Sequence, residues 1–238
     1  MRVLVVTAVP AERDAVTRAF EDGPDVRDVP GAEVHRTGGP GGRCVVDVLA
    51  GGAGPAAAAA ATAFGLAHGP YDLVVSAGIG GGFTPVAPVG SLVVASGIVA
   101  ADLGAETPEG FVPVTGLGFG RDRFTPPPAR VRDVAAATGA LTGEILTVST
   151  VTGSAERAAA LLAAHPHAAA EAMEGFGVAE AAARTGTPVL ELRAISNAVG
   201  PRDRSAWRIG EALAALTGAF GKLSPVLEGW THHDRHRA

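Results

Sequence analysis

Asp72-Leu73-Val74-Val75-Ser76 runs directly into Ala77-Gly78-Ile79-Gly80-Gly81-Gly82, and how these residues are read decides the fold. Apolar residues in a row, without polar alternation, mark a strand buried on both faces, and such strands belong to parallel sheets covered by helices. The glycines that follow look at first like a dinucleotide fingerprint. That motif needs a helix opening at its last glycine, whereas Phe83-Thr84-Pro85 and Pro88-Val89-Gly90 come next. Two explanations remain: a tight strand-to-turn connection that needs glycine dihedrals, or a backbone that a small ligand approaches closely beside Ser76.

Outward from this stretch, short apolar runs alternate with longer alanine-rich segments. Strands are expected at 3–6, 44–49, 91–100, 144–150 and 188–196, with helices at 10–20, 54–68, 131–137, 155–164, 174–185 and 206–223. The mostly apolar run 168–173 suggests that Glu174 emerges from the end of a buried strand. This alternation predicts an α/β layer fold with a mostly parallel sheet. No shift in composition and no internal repeat divides the 238 residues, so one domain over 1–238 is expected. Residues 104–128 are rich in Gly and Pro and read as a long loop. Residues 231–238 read as a frayed, flexible tail.

Composition narrows the function. The net charge is -5 and no basic stripe stands out, which argues against a nucleic-acid partner. One cysteine, Cys44, excludes a disulfide framework or a cysteine metal cluster within the chain and fits a reducing compartment. The opening apolar run is too short for a signal peptide, and no stretch has the character of a membrane span. A cytoplasmic protein without membrane attachment is the expectation. Of the 19 basic residues, 18 are arginine, and 48 residues are alanine. Both have GC-rich codons, so the alanine runs argue for helix and nothing more.

In open α/β sheets ligands bind where strands end. The candidate positions are therefore 8–12, 77–82, 150–154, 173–174 and 196–204. Glu12 opens the first helix, where the dipole alone would explain a carboxylate, but it could also act as a base on water. Glu174 would be buried and needs a partner: a ligand hydroxyl pair, or Arg193 on the neighbouring strand. Asn197 ends that strand. Arg202 and Arg204 follow it as an anion-binding pair, or else Asp203 or Ser205 simply caps the last helix. His165 and His167 read as solvated, and His232, His233 and His236 lie in the tail, so no metal site is expected. No Gly-x-Ser-x-Gly elbow supports a serine triad.

Together, the segment from Val3 to Glu12, the turn at 76–81, Met173-Glu174-Gly175 and Arg193-Ala194-Ile195-Ser196-Asn197 resemble the purine nucleoside phosphorylase and nucleosidase superfamily over nearly the whole chain. Within it the chain resembles the hydrolytic branch typified by methylthioadenosine/S-adenosylhomocysteine nucleosidase. The run from Ser196 to Arg204 is more similar to the futalosine hydrolases of the futalosine route to menaquinone. The resemblance implies a three-layer α/β/α sandwich around a mixed, mostly parallel sheet. It implies no cofactor and no metal, a nucleoside substrate, and a homodimer or higher homo-oligomer. Loop 104–128 either closes on the substrate or completes a neighbour's site. It also implies roles. Glu12 activates the attacking water, and Glu174 with Met173 holds the ribose hydroxyls. Ser76, Ala77 and Gly78 line the sugar and water site, and Arg193 and Ser196 belong to the same binding segment. Val151 and Thr152 flank the base through their backbone.

Adenine-specific members of the family carry Asp at the position of Asn197. An Asn cannot protonate a purine, but its acceptor oxygen and donor NH2 can meet a protonated N7 and the O6 of a 6-oxopurine. Asn197 therefore points to hypoxanthine as the leaving base. Arg202 or Arg204 would then pair with the benzoate at the far end of futalosine, and Trp207 would pack on its ring. The loop 7–12 has a carboxylate and no Arg, which suits water rather than phosphate, although Arg36, Arg43 or Arg121 could reach in from elsewhere. The alternatives are a phosphorylase of 6-oxopurine nucleosides, a methylthioadenosine or aminofutalosine nucleosidase, and a nucleoside-binding protein without catalysis.

Overall fold

The computed structural model describes residues 1–20, 23–29, 32–38 and 44–230. The tail 231–238, with its three histidines, and Arg43 lie outside the described residues.

The sheet is built from β1 (Arg2–Thr7), β2 (Asp25–Val29), β3 (Ala32–Gly38), β4 (Val45–Ala50), β5 (Leu73–Gly82), β6 (Leu92–Ala100), β9 (Arg123–Phe124), β10 (Leu141–Thr147), β11 (Ala168–Ala172) and β12 (Val189–Ala198). Between β6 and β9, β7 (Gly104–Thr107) and β8 (Gly110–Pro113) form a separate hairpin. The helices are α1 (Pro10–Thr17), α2 (Pro55–Ala67), α3 (Pro128–Thr138), α4 (Ala155–Ala164), α5 (Gly175–Arg184) and α6 (Ile209–Gly229). The strand order is β11-β10-β6-β12-β5-β1-β4-β3-β2.

The sheet is mixed, as expected, with the parallel pairs β1–β4, β1–β5, β5–β12, β6–β10 and β10–β11. Antiparallel pairs are more numerous than the apolar runs suggest. β2 and β3 extend one edge, and β6 runs against β12. β11 also pairs back onto the end of β5, so β5, β12, β6, β10 and β11 form a closed ring. Helices α1, α3 and α6 cover one face of the sheet, where Val3, Val5, Leu73, Leu192, Leu216 and Phe220 are buried. Helices α2 and α5 pack on the other face, over Leu4, Val6, Leu49 and Val74, with Val178 of α5 buried against them. Removing this apolar surface from water is the main driving force for the layers.

Several expectations change. The glycine run is not a turn: β5 continues extended through Gly82, and none of Gly78, Gly80, Gly81 and Gly82 has a positive φ. The loop 104–128 contains the hairpin β7–β8 and the short β9. The last helix starts at Ile209, because Asp203 accepts from the Ser205 N–H and caps only a 3-10 turn, Arg204–Ala206. No helix among the described residues is long and apolar enough to cross a membrane.

Candidate active site

The strand ends converge on one cleft. Ala8, Glu12, Ile79, Gly80, Gly81, Val151, Thr152, Met173, Glu174, Ser196, Asn197 and Trp207 all line it, joined by Glu171, Ala172 and Val199. Its enclosed volume is about 170 Å³, and it opens to solvent at its mouth.

Glu12 sits in the first turn of α1 and is buried. Its Oε2 accepts from the N–H of Ala8 (2.9 Å) and Val9 (3.3 Å), and its Oε1 from the N–H of Ile79 (2.8 Å). Burial raises its proton affinity above the usual carboxylate range, against the pull of Arg193 and of these N–H groups. Glu174 is the residue before α5. Its Oε1 accepts from Gly54 N–H at the start of α2, and its Oε2 from Met173 N–H, both at 3.3 Å.

Behind these two carboxylates lies Arg193, 1% exposed. Its Nε donates to Glu191 Oε1 (2.9 Å) and its Nη2 to Ser76 Oγ (2.8 Å). Nη1 lies 3.2 Å from Glu174 Oε2, a contact of charges rather than an aligned hydrogen bond. Burial opposes the charge on Arg193, but Glu191, Glu174 and Glu12 together hold its proton more firmly than usual. Glu191 is fully buried, and that burial pushes it up to about 7 despite Arg193 beside it. Gly78 makes the arrangement possible. A Cβ there would lie 2.6 Å from Glu12 Oε1 and 2.8 Å from Arg193 Nη1. The glycine is used for close approach of side chains, not for its dihedral freedom.

Asn197 faces the cleft because of an irregularity in β12. Its pairing with β5 shifts register between Ile195 and Asn197, so Ser196 is an extra residue. A one-residue slip moves a side chain to the other face of a strand. Arg193 pairs with Gly78, but Asn197 pairs with Gly81, on the opposite face. Ser196 Oγ lies 2.9 Å from Asn197 Oδ1, and Asn197 Nδ2 donates to the Ala198 carbonyl at 3.0 Å. One lone pair and one N–H of the amide remain for a ligand.

Residues 2–223 match the phosphorylase superfamily. The chain belongs to that superfamily. A futalosine hydrolase of Streptomyces coelicolor is 64% identical to it, over 99% of this chain and all of the relative. A futalosine hydrolase of Acidothermus cellulolyticus is 44% identical, over 92% of this chain and 89% of the relative. Among solved structures, the futalosine hydrolase of Helicobacter pylori superposes with a TM-score of 0.81 at 18% identity, covering 95% of this chain and 98% of that one. At that identity the likeness shows the α/β fold.

For a member of the phosphorylase superfamily, the charge of the cleft is informative. Glu12, Glu171 and Glu174 line it, and among the described residues no Arg, Lys or His does. Arg36 is bound to Asp47 at 2.7 and 2.8 Å, and Arg121 lies over the Phe124 ring in a separate groove. Ser76, Ala77, Gly78 and Arg193 are not in the wall of the cleft. They are buried behind it, where Ser76 and Arg193 hold each other and Gly78 gives them room. Arg202 and Arg204 stack over the Trp207 ring, at 5.2 and 6.0 Å from its centroid, and only Trp207 reaches the cleft wall.

Sequence reasoning missed Glu171 and Glu191. Glu171 stands in a strand whose other residues are all alanine, with no local pattern around it. Glu191 had a signal: Glu191-Leu192-Arg193 puts opposite charges on one face of an apolar strand, which in a buried strand means an ion pair.

Proposed function

We propose that the chain hydrolyses the N-glycosidic bond of futalosine, releasing hypoxanthine and dehypoxanthine futalosine, and so serves menaquinone biosynthesis. Identity of 64% to a futalosine hydrolase from end to end supports the substrate. The observation that carries hydrolysis over phosphorolysis is the cleft's charge. Three carboxylates and no cationic side chain among the described residues repel phosphate and accommodate water.

The chemistry follows from the side chains. As C1'–N9 breaks, its electron pair leaves with the purine and positive charge grows on the sugar. Glu12 takes a proton from the water whose oxygen bonds to C1'. Its raised proton affinity suits it to this step. Glu174, with Met173, holds the ribose hydroxyls, and Arg193 with Ser76 fixes that carboxylate from behind. The departing purine anion takes a proton from solvent at N7, and the free lone pair and N–H of Asn197 meet that N7–H and O6, stabilising hypoxanthine as it leaves. Val151 and Thr152 flank the base. Trp207, with Arg202 and Arg204 on its outer side, offers an aromatic and cationic surface for the benzoate. The reading includes a single domain over 1–238, no cofactor, a cytoplasmic location, and a homodimer or higher homo-oligomer. The exposed Leu103, Phe111, Leu117 and Phe119 around the β7–β8 hairpin support the oligomer.

The deciding experiment incubates the protein with futalosine, inosine and methylthioadenosine, each with and without phosphate, and separates the free bases by chromatography. Hypoxanthine from futalosine without phosphate is expected. A strict need for phosphate, or release of adenine instead, would overturn the reading. Asn197→Asp is expected to move the preference for 6-oxo over 6-amino futalosine by about tenfold or more toward the amino form. An unchanged ratio of kcat/KM values would remove Asn197 from base recognition.

A further inference from the structure

Gly81 is the register partner of two residues on different strands: Asn197 on β12 and Glu171 on β11. The two therefore stand level with each other on the same face, separated by one strand that carries no side chain at that point. A Cβ on Gly81 would lie 3.3 Å from Asn197 Nδ2. This is a slot whose floor is Gly81 with the Val199 side chain packed onto it, 2.9 Å from where that Cβ would lie, with an amide on one wall and a carboxylate on the other. Both walls line the cleft.

The Glu171 wall has a definite hydrogen-bonding character. Glu171 is buried, and its Oε1 accepts the Thr152 N–H at 2.8 Å. Its Oε2 accepts the Thr152 hydroxyl in a short hydrogen bond. Thr152 thus has neither donor left for a ligand. What this wall presents is acceptors: the remaining carboxylate lone pairs of Glu171.

Purines differ at the matching edge. A 6-oxopurine carries a proton on N1 and needs an acceptor there. A 6-aminopurine has a bare N1 and needs a donor. We propose that Glu171 is a specificity-determining residue, which occupies both donors of Thr152, leaves that wall of the slot acceptor-only, and so selects purines protonated at N1. With the 6-amino base, the N1 lone pair faces acceptor lone pairs and loses its hydrogen bond with water without replacement, the situation that gives strong discrimination. The proposal rests on the nucleoside-hydrolase reading of the cleft and adds to Asn197 a second, independent reader on the opposite edge of the base.

Glu171→Gln tests it. The glutamine carbonyl can still accept the Thr152 N–H, while its amide brings N–H donors into the slot. Wild type and variant are compared on futalosine and its 6-amino analogue, without phosphate. The ratio of kcat/KM values, 6-oxo over 6-amino, is expected to fall at least about tenfold in the variant. A folded variant with the wild-type ratio overturns the proposal, since a residue that only ties Thr152 in place would slow both substrates alike. A second arm needs no variant and no turnover. Binding of hypoxanthine to the wild type is compared by calorimetry with its 1-deaza analogue, in which C–H replaces N1–H. Loss of about tenfold or more is expected for the analogue, and equal affinity overturns the proposal. If the wild type releases no base from futalosine while hypoxanthine still binds more tightly than the analogue, the substrate assignment fails and the role of Glu171 stands.

Discussion

Glu12→Gln is expected to lower kcat by roughly 10²- to 10⁴-fold, the usual contribution of a positioned general base. The substitution changes little volume, yet it is not silent in the folded protein. Both oxygens of Glu12 accept backbone N–H groups, Ala8 and Val9 on one side and Ile79 on the other. Whichever way a glutamine amide turns, its NH2 faces a buried N–H. The cost is that of an unsatisfied buried donor, about 1–3 kcal/mol. Turnover must therefore be measured with a thermal melt alongside, at a temperature where the variant is folded, and with hypoxanthine affinity as a check that the base slot is intact. The pH profile gives an independent reading. Burial raises the proton affinity of Glu12, so wild-type kcat/KM should fall on the acid side at a pH above the ordinary carboxylate range. The variant should lack that limb. A folded Glu12→Gln variant with undiminished turnover would remove Glu12 from the mechanism.

The legible parts of this molecule were those in which local pattern and tertiary environment agree. Val3 to Val6 shows its burial in its own sequence and Ala155 to Ala164 its helical propensity, and the structure forms a strand and a helix there. The convergence of strand ends was also legible, because parallel strands joined by helices place those ends together. β2 was not. Asp25-Val26-Arg27-Asp28-Val29 is mostly exposed and is held by antiparallel pairing to β3, a long-range fact without a local trace. The glycine run was misread for a related reason. Taken alone, Gly-Ile-Gly-Gly-Gly suggests a turn, yet the missing side chains are needed because Glu12 and Arg193 approach Gly78, and Asn197 and Val199 approach Gly81. Those neighbours come from α1 and β12, far away in sequence. Ser76 was read as a ligand contact, whereas its hydroxyl accepts from Arg193; Arg193 is the partner of Glu174 that the sequence offered beside a ligand, and it also binds Glu191.

Arg193→Met is expected to be the most destabilising single change at the site. It leaves Glu191 and Glu174 buried without their cation, and the loss of one partner from a buried ionic cluster costs about 3–5 kcal/mol. The loss should depend on pH, with a sign fixed by Glu191. Its carboxyl is pushed up to about 7 in the folded protein by burial, from an ordinary value of 4.5. A carboxyl that binds its proton more tightly when folded contributes stability that is complete below the unfolded value. That contribution is lost as pH rises toward the folded one. In the wild type the loss runs from about 4.5 to about 7. Arg193 opposes protonation of Glu191 and Glu12, so its removal lifts their proton affinities further and extends the loss to higher pH. The variant's stability deficit, from urea denaturation, should therefore be small at pH 5 and large at pH 8. Glu191→Gln combined with Arg193→Met should recover part of the pH 8 deficit, because one of the stranded charges is gone, and the two changes should not add. A deficit equal at both pH values, or a double variant no better than the single one, would mean that Arg193 supports the fold through packing and not through the charges gathered around it.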